Sequence, residues 1–315
     1  MGVYLVTGGG GFIGSNLVEA LLTRGDDVRV LDNFSTGRRI NLENAPRWAR
    51  DGGARFELIE GDIRDLDACR AAVRGCDFVL HQAAIPSVQR SVQDPVTTND
   101  VNVGGTLHVL SAAREAGVKR IVAASSSSLY GESEVLPKVE TMPPAPISPY
   151  GLQKLAAETY CGLFHRLYGV STVALRYFNV FGPRQDPTSE YSAVIPRFIA
   201  AIRQRTAPTI YGDGEQTRDF TYVENVVHAN LAACVAGDAA SGGAFNIACG
   251  ERISLNDLVG VLAGFSGGAV SPVHAAARAG DIRHSLAGID KARALLGFAP
   301  RVTVRDGLRR TWDAA

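Results

Sequence analysis

The stretch 5-LVTGGGGFIGS-15 joins an apolar, strand-like run to the start of a helical pattern through four consecutive glycines. Two spacings fit: Gly9, Gly11 and Gly14 form G-x-G-x-x-G, whereas Gly8, Gly11 and Gly14 form G-x-x-G-x-x-G. A strand that turns sharply into a helix presents backbone N–H groups and the positive helix end to a pyrophosphate, and glycine allows the close approach. The stretch therefore predicts the start of a dinucleotide-binding unit.

An acidic residue follows where such a unit needs one. Asp32 lies 18 residues beyond Gly14, at the end of the next strand-like run. A carboxylate there can accept hydrogen bonds from the ribose hydroxyls of adenosine, and its charge repels a 2′-phosphate. NAD is therefore favoured as the cofactor over NADP, which Arg38 and Arg39 keep open as an alternative.

Strand-like and helical patterns alternate through the first half of the chain. The strand candidates are 3–8, 28–33, 55–62, 77–84 and 119–128, and the helical stretches include 12–25, 64–73 and 103–117. This alternation predicts right-handed crossovers and a doubly wound parallel sheet, an α/β fold. After about residue 180, proline and glycine interrupt the pattern, which indicates a smaller C-terminal lobe; the helical stretch 223–235 is expected to return to the first domain.

The composition excludes other classes of protein. Thirty-two basic residues balance 32 acidic ones, so no nucleic-acid partner is indicated. The five cysteines lack C-x-x-C spacing and indicate neither a disulfide framework nor a zinc site, so we expect no metal and a cytoplasmic location. There is no signal-type segment and no apolar run of about 18 residues, so no membrane partner is expected.

The segment 148-SPYGLQK-154 carries the candidate chemistry. Ser148 can cap a helix that begins at Pro149, which places Tyr150 in the first turn and Lys154 four residues later on the same face. Tyrosine titrates near pH 10 and is a poor base unless positive charge stabilises its phenolate. Lys154 and the helix N-terminus can supply that charge, and only four of the 32 basic residues in this chain are lysines.

A serine run precedes this segment. Ser126 lies 24 residues before Tyr150, within 123-AASSSSLYG-131, at the end of a predicted parallel strand. The carboxyl ends of the strands face the ligand crevice in doubly wound sheets, so a hydroxyl there can bind a reacting oxygen.

Taken together, these motifs resemble the extended short-chain dehydrogenase/reductase superfamily, and within it the nucleotide-sugar 4-epimerases of the UDP-galactose or UDP-N-acetylglucosamine type. The resemblance rests on TGGGGFIG, Asp32, SSSSLYG, SPYGLQK, 175-LRYFNVFGPRQDP-187, 216-QTRDFTYVEN-225 and 278-RAGD-281, and spans nearly the whole chain. It selects the register of Gly8, Gly11 and Gly14 and leaves Gly9 and Gly10 without a separate role. It implies cofactor contacts from Gly8, Gly11, Phe12, Ile13, Gly14, Asp32, Asn33, Asp62, Ile63, Gln82, Tyr150, Lys154 and Phe178.

The resemblance also implies a reaction. Tyr150 takes the proton of the sugar 4-hydroxyl while hydride passes from carbon 4 to NAD. The transient 4-keto sugar then rotates about its diphosphate link, and hydride returns to the opposite face of the sugar. Ser126 binds the 4-oxygen, and Lys154 holds the nicotinamide ribose and lowers the pKa of Tyr150. The implied substrate contacts are Ser126, Tyr150, Asn179, Arg184, Val194, Tyr211, Arg218, Arg278, Asp281 and Ser285.

The sister enzymes suggest alternatives. Nucleotide-sugar dehydratases typically carry an acid at the positions of Ser127 and Ser128, and serine is too weak an acid for that task, so epimerisation is favoured. Ser285 corresponds to a family position beside the hexose ring where a small residue leaves room for an N-acetyl group, so the resemblance permits UDP-GlcNAc/UDP-GalNAc beside UDP-Glc/UDP-Gal. UDP-glucuronate 4-epimerases often have threonine at the position of Asn179, but Arg184 could face a substrate carboxylate, so this activity stays open. A non-catalytic NAD-binding scaffold is a remote alternative.

The resemblance implies an organisation as well. We expect a Rossmann-type NAD-binding domain over 1–178, rejoined by about 217–240, and a mainly nucleotide-sugar-binding lobe over 179–315. A homodimer is expected through two helices of each subunit, 103–117 and 150–168.

Overall fold

A computed structural model of the chain describes residues 1–186, 194–268, 270–277 and 283–315. Its longer strands are β1 (Val3–Thr7), β2 (Asp27–Asp32), β3 (Phe56–Glu60), β4 (Phe78–His81), β5 (Arg120–Ser126) and β6 (Thr172–Tyr177). The shorter strands that follow β6 are β7 (Val180–Phe181), β8 (Thr209–Tyr211), β9 (Thr217–Arg218) and β10 (Thr221–Tyr222). The last three are β11 (Gly243–Ile247), β12 (Ile253–Ser254) and β13 (Val273–Ala275).

The helices alternate with these strands. The N-terminal ones are α1 (Phe12–Thr23), α2 (Ala45–Gly52), α3 (Leu66–Val73), α4 (Val88–Gln93), α5 (Pro95–Asn99) and α6 (Thr106–Ala116). They are followed by α7 (Pro149–Tyr168), α8 (Val194–Arg203), α9 (Val223–Val235), α10 (Leu255–Ser266), α11 (Asp290–Leu296) and α12 (Val304–Asp313). Short 3-10 turns span Arg39–Leu42, Ser127–Tyr130 and Asp238–Ala240, and a π-helical turn spans Asp100–Gly105.

The main sheet confirms the predicted fold class. Its strands lie in the order β11-β6-β5-β4-β1-β2-β3, and every neighbouring pair is parallel. The order reverses between β1 and β4, where Thr7 pairs with His81 at the carboxyl ends of the two strands. In doubly wound sheets, ligands bind in the crevice beyond such a switch point.

Local sequence explains the two helices that flank this crevice. Helix α1 follows Gly11 directly and has no side-chain cap, so its first N–H groups have no side-chain acceptor of that kind. Helix α7 begins as predicted: Ser148 Oγ accepts a hydrogen bond from the backbone N of Gly151 at 3.1 Å, and Pro149 occupies the first position. The predicted helix over 103–117 differs, because its first turn belongs to the π-helical segment and α6 begins only at Thr106.

Three apolar clusters lie behind the crevice. One joins β1, α1 and the C-terminal part of α9, and a second packs α3 and α6 against the opposite face of the sheet. A third, centred on Phe181, Phe198 and Leu258, lies among β7, α8 and α10. Each fully buried aliphatic or aromatic side chain stabilises the fold by about 1.5–3 kcal/mol relative to exposure. Helix α9 packs against α1 and β5, so the chain returns to the sheet after entering the third cluster. Among the described residues, no helix has the length and apolar character needed to span a membrane.

Candidate active site

The glycine turn after β1 is shaped for close contact. Gly8 adopts a left-handed φ of +71°, and a Cβ there would lie 2.7 Å from backbone atoms of Ala83. A Cβ on Gly14 would lie 2.1 Å from the carbonyl oxygen of Gly8, a distance that no side chain can occupy. The backbone N of Gly11 donates to that same oxygen at 3.0 Å, which closes the turn. The turn before the N-terminus of α1, the phosphate cradle of the sequence prediction, therefore has no room for a side chain at Gly8 or Gly14.

The two glycines without a predicted role are also sterically required. A Cβ on Gly9 would lie 2.7 Å from the side chain of Val30, and a Cβ on Gly10 would lie 2.8 Å from the ring of Phe34. The backbone N of Gly10 donates to Asp32 Oδ2 at 2.8 Å. Gly9 and Gly10 therefore bring the turn against β2 and its acid, a requirement set by residues far away in the sequence.

Asp32 lies at the carboxyl end of β2, as predicted, and is 7% exposed. It accepts hydrogen bonds from the backbone N of Gly10 and of Phe34, the latter at 2.7 Å, yet burial raises its pKa above the usual value. Arg39 stacks over the ring of Phe34 and pairs with Glu60 at 2.5 Å. Arg39 is one of the two arginines that left NADP open as an alternative cofactor, and it is already engaged in this ion pair.

The other residues predicted for the cofactor line the same edge of the sheet. Asn33 Nδ2 donates to Asp62 Oδ2 at 2.7 Å, and hydrogen bonds from Arg64 lower the pKa of Asp62 to about 2. Gln82 follows β4, and its Nε2 donates to Asn230 Oδ1 of α9 at 3.1 Å. Ile63 and Phe178 are buried beside this edge, and Phe12 and Ile13 form the first turn of α1.

The fold brings together the three predicted catalytic side chains. Ser126 ends β5, and its hydroxyl lies close enough to Tyr150, in the first turn of α7, to lower the pKa of that tyrosine. The Nζ of Lys154 donates to the carbonyl of Ala124 at 2.9 Å and lies 6.0 Å from the centroid of the Tyr150 ring. The backbone N of Tyr150 donates to Ser91 Oγ at 3.0 Å, so a second helix, α4, also fixes the tyrosine.

A cavity in the C-terminal part of the chain brings together four of the ten predicted substrate contacts. Asn179, Val194, Tyr211 and Arg218 line it, with apolar walls from Phe198, Ile210, Phe220 and Leu255. Gln216, which the sequence reasoning missed, also lines it and is 5% exposed. Its Nε2 donates to the carbonyl of Tyr211 at 2.6 Å, while its Oε1 is buried without a hydrogen-bond partner among the described residues. A buried acceptor in this position suits a ligand that carries a donor.

The sequence model of the NAD dependent epimerase/dehydratase family matches residues 4–248. The chain belongs to this family. It is similar to a putative UDP-glucose 4-epimerase of Methanocaldococcus jannaschii, with 39% identity over 97% of this chain and 96% of the relative. Among solved structures it is similar to a UDP-N-acetylglucosamine 4-epimerase from Methanobrevibacter ruminantium in complex with UDP-N-acetylmuramic acid, with a TM-score of 0.92, 38% identity and coverage of 99% and 97%. It is also similar to the UDP-glucuronic acid 4-epimerase from Bacillus cereus in complex with UDP-glucuronic acid and NAD, with a TM-score of 0.89, 33% identity and coverage of 99% and 98%. The resemblance inferred from the motifs is thereby confirmed.

Burial governs the titration of the tyrosine and the lysine in this epimerase/dehydratase family member. Burial raises the pKa of Tyr150 to about 12, and the hydrogen bond with Ser126 offsets only part of that shift. Burial lowers the pKa of Lys154 to about 8. The pKa of Tyr150 is therefore shifted in the direction opposite to the expected one, because desolvation on burial outweighs the effect of Ser126.

A buried polar network supports the group. The hydroxyl of Ser125 donates to Glu158 Oε2 at 2.6 Å, and Glu158 pairs with Arg176 at 2.6 Å, with both side chains nearly buried. Arg176 in turn donates to the hydroxyl of Tyr130 at 2.6 Å. Because Ser125 precedes Ser126 on β5, Glu158 lies on α7 and Arg176 lies on β6, this network holds α7 against the two strands. Removing one partner from such a pair typically costs about 3–5 kcal/mol.

A neutral histidine lies beneath the cradle. His81 is buried between Thr7, at 2.7 Å from its Nδ1, and Thr106, at 3.0 Å from its Nε2. Burial lowers its pKa to about 3, and the positive charge of Lys154 acts in the same direction. His81 therefore stays uncharged and links β1 to α6 rather than acting as an acid or base.

Not every substrate residue assigned from the resemblance lies at the cavity. Arg184 has a left-handed φ of +71°, and its guanidinium binds Asn16 and Glu19 of α1 and stacks over Trp48. This placement gives no support to Arg184 as a partner of a substrate carboxylate. The backbone N of Ser285 donates to the carbonyl of Thr217 at 3.1 Å, which places Ser285 beside β9. Arg278 and Asp281 lie outside the described residues.

Proposed function

We propose that this protein inverts the configuration at carbon 4 of a UDP-hexose, with NAD as cofactor, through a transient 4-keto sugar. The observation that carries the proposal is the meeting of Ser126, Tyr150 and Lys154 at the end of β5, on the same edge of the parallel sheet as the glycine turn after β1. An isomerase is what the family membership and the names of the relatives support.

The residues around the glycine turn fit NAD. The cradle before α1 would take the pyrophosphate, Asp32 would accept hydrogen bonds from the adenosine ribose, and Asp62 and Ile63 would lie beside the adenine. Lys154 would hold the nicotinamide ribose. Bound NAD supplies a reversible acceptor for hydride.

The side chains of this chain move the proton. Tyr150, as phenolate, accepts the proton of the sugar 4-hydroxyl and later returns it, and the Ser126 hydroxyl orients that oxygen. The charged ammonium of Lys154 favours the phenolate, which burial alone disfavours. Ser128 Oγ donates to Ser126 Oγ at 2.9 Å, and neither Ser127 nor Ser128 offers a carboxyl group. The site thus supports inversion rather than loss of water.

The cavity suits the UDP portion. Its apolar walls can enclose a flat base, and Gln216 Oε1, which has no partner within the described part of the chain, can accept a hydrogen bond from the nucleoside. Asn179 and Arg218 lie where amide and guanidinium donors would bind the diphosphate. The roles of Arg278, Asp281 and Ser285 toward the substrate rest on the resemblance.

The sugar is the second part of the proposal. UDP-Glc/UDP-Gal are favoured, with UDP-GlcNAc/UDP-GalNAc accepted beside the small Ser285, as the names of two relatives suggest. UDP-glucuronate is a second candidate because the chain is similar to an enzyme named for that substrate. The pairing of Arg184 with Glu19 weighs against it, since the guanidinium is already neutralised.

An NMR assay tests the function directly. Purified protein with NAD is incubated separately with UDP-glucose, UDP-GlcNAc and UDP-glucuronate, and the sugar signals report inversion at carbon 4. We expect turnover of the first two, with UDP-glucuronate slowest. If correctly folded protein turned over none of them, the epimerase hypothesis would be refuted and the non-catalytic NAD-binding scaffold would remain.

The pH profile offers an independent check on the lysine. Because the pKa of Lys154 is lowered to about 8, its positive charge is present below that pH and is lost above it. We therefore expect kcat/KM to fall on the alkaline side near pH 8, and we expect Lys154→Arg to abolish that limb because arginine stays charged.

A matched variant serves as the control for assigning the alkaline limb to Lys154. Lys291 also donates to a backbone carbonyl, that of Ala244, at 2.9 Å, but it lies away from the site. Lys291→Arg should keep the wild-type profile. An alkaline limb that survives unchanged in Lys154→Arg would assign it to another group.

We also propose a cytoplasmic homodimer. Helices α6 and α7 lie side by side, α7 leaves Leu152 and Leu167 exposed, and all five cysteines are free thiols. Sedimentation should show twice the 33.4 kDa mass of one chain, and a monomer at micromolar concentration would contradict the assembly. Cell fractionation tests the compartment.

A further inference from the structure

Asp219 is a carboxylate with no exposed surface, between β9 and β10 and next to Arg218. Its Oδ1 accepts a hydrogen bond from the backbone N of Cys249 at 3.0 Å. Its Oδ2 accepts two more, from the backbone N of Gly250 at 3.2 Å and of Ala287 at 3.1 Å. A carboxylate is costly to bury unless such donors replace water, so Asp219 and these three N–H groups depend on one another.

The same residue holds Asn179. The carbonyl of Asp219 accepts a hydrogen bond from Asn179 Nδ2 at 3.1 Å, and the backbone N of Thr221 donates to the carbonyl of Asn179 at 3.2 Å. Asn179 has a left-handed φ of +35°, a conformation that asparagine adopts more readily than most residues and that these two hydrogen bonds hold in place. The segment 219–221 therefore fixes both the backbone and the amide of Asn179.

Asp219 also completes the contact with the segment that carries Ser285. The backbone N of Thr217 donates to the carbonyl of Arg283 at 3.0 Å, and that of Ser285 donates to the carbonyl of Thr217 at 3.1 Å. The bond from Ala287 to the Asp219 carboxylate continues this pairing two residues further along. Three separate parts of the chain thus meet at one buried carboxylate.

We propose that Asp219 is a positioning residue that holds Asn179, Arg218 and Ser285 in the arrangement that receives the diphosphate and sugar of a UDP-sugar. The inference rests on the proposed function. Asp219 itself is fully buried and needs no contact with substrate. Groups fixed before binding lose less freedom when the ligand arrives, so the carboxylate contributes to affinity through the residues it holds.

The test is Asp219→Asn, which keeps the shape but turns an NH₂ group toward backbone N–H groups. We expect the Kd for UDP and the KM for the UDP-sugar to rise about tenfold, with kcat changed less than about threefold and the Kd for NAD within about twofold. Calorimetry gives the two Kd values, and steady-state assays separate KM from kcat. Equal losses of UDP and NAD affinity, or an unchanged KM, would overturn the positioning role.

Asn225→Asp is the matched control. Asn225 is also fully buried, and its Oδ1 accepts hydrogen bonds from the backbone N of Arg301 at 2.8 Å and of Val302 at 3.0 Å. Its exchange should lower the Tm comparably but leave the affinity for UDP within about twofold. A tenfold loss in this variant as well would show that general destabilisation explains the result.

Hydrogen exchange of the wild-type protein keeps the proposal testable if Asp219→Asn fails to fold. Because coupling is reciprocal, saturating UDP should slow exchange at Cys249, Gly250 and Ala287 and leave Arg301 and Val302 unchanged. UDP that binds without slowing the first three amides would refute the inference alone. A wild-type protein that binds no UDP would instead refute the proposed function.

Discussion

Tyr150→Phe should lower kcat by about 10³-fold while the Kd values for NAD and UDP stay within about threefold of wild type. In the proposed mechanism the phenolate oxygen of Tyr150 accepts the proton next to Ser126, and phenylalanine keeps the ring but removes that oxygen. The measurement is NMR-detected turnover of UDP-glucose together with calorimetric binding of each ligand.

Tyr160→Phe is the control for this variant. Tyr160 lies on the same helix, α7, packed against the second apolar cluster and away from Ser126. It should keep kcat within about twofold. If Tyr150→Phe retained wild-type turnover, the assignment of the base would be wrong.

Gly14→Ala is expected to raise the Kd for NAD at least 100-fold and to lower the Tm. The added Cβ would lie 2.1 Å from the carbonyl oxygen of Gly8, so either the turn or α1 must move away from the phosphate cradle. Calorimetry with NAD and thermal unfolding measure the two effects.

Gly260→Ala separates this clash from the loss of a glycine as such. Gly260 lies within α10, and a Cβ there meets nothing within 4 Å. Alanine should stabilise the helix by about 0.5–1 kcal/mol and leave the affinity for NAD unchanged. NAD binding by Gly14→Ala at wild-type strength would show that the cofactor does not use this cradle.

Local patterns were sufficient to predict the sheet and the start of the catalytic helix. The alternation of strands and helices led to the parallel sheet, and the Ser148–Pro149 pair placed the first turn of α7 correctly. Ser126 could be placed at the ligand-facing edge because it ends a parallel strand, and Tyr150 and Lys154 could be placed on one helix face by their spacing of four residues.

Features that depend on distant partners could not be predicted in the same way. Gly9 is required by Val30 and Arg184 is neutralised by Glu19, neither of which follows from local spacing. The raised pKa of Tyr150 follows from burial, which becomes known only once the chain is folded. Gln216 lies two residues before Arg218 in the motif 216-QTRDFTYVEN-225. A role for it could not be predicted because the apolar cavity that it lines forms only in the folded chain.

The separate apolar cluster around Phe181, Phe198 and Leu258 has a consequence for how such an enzyme can diversify. It supports the walls of the cavity, whereas the glycine turn and the catalytic strand pack on the two clusters flanking the sheet. Substitutions in this third cluster can therefore change the shape of the cavity while the glycine turn and β5, which serve hydride exchange, keep their positions. We therefore expect mutational libraries that seek new sugar preferences to be most productive at the cavity-lining positions between residues 194 and 211.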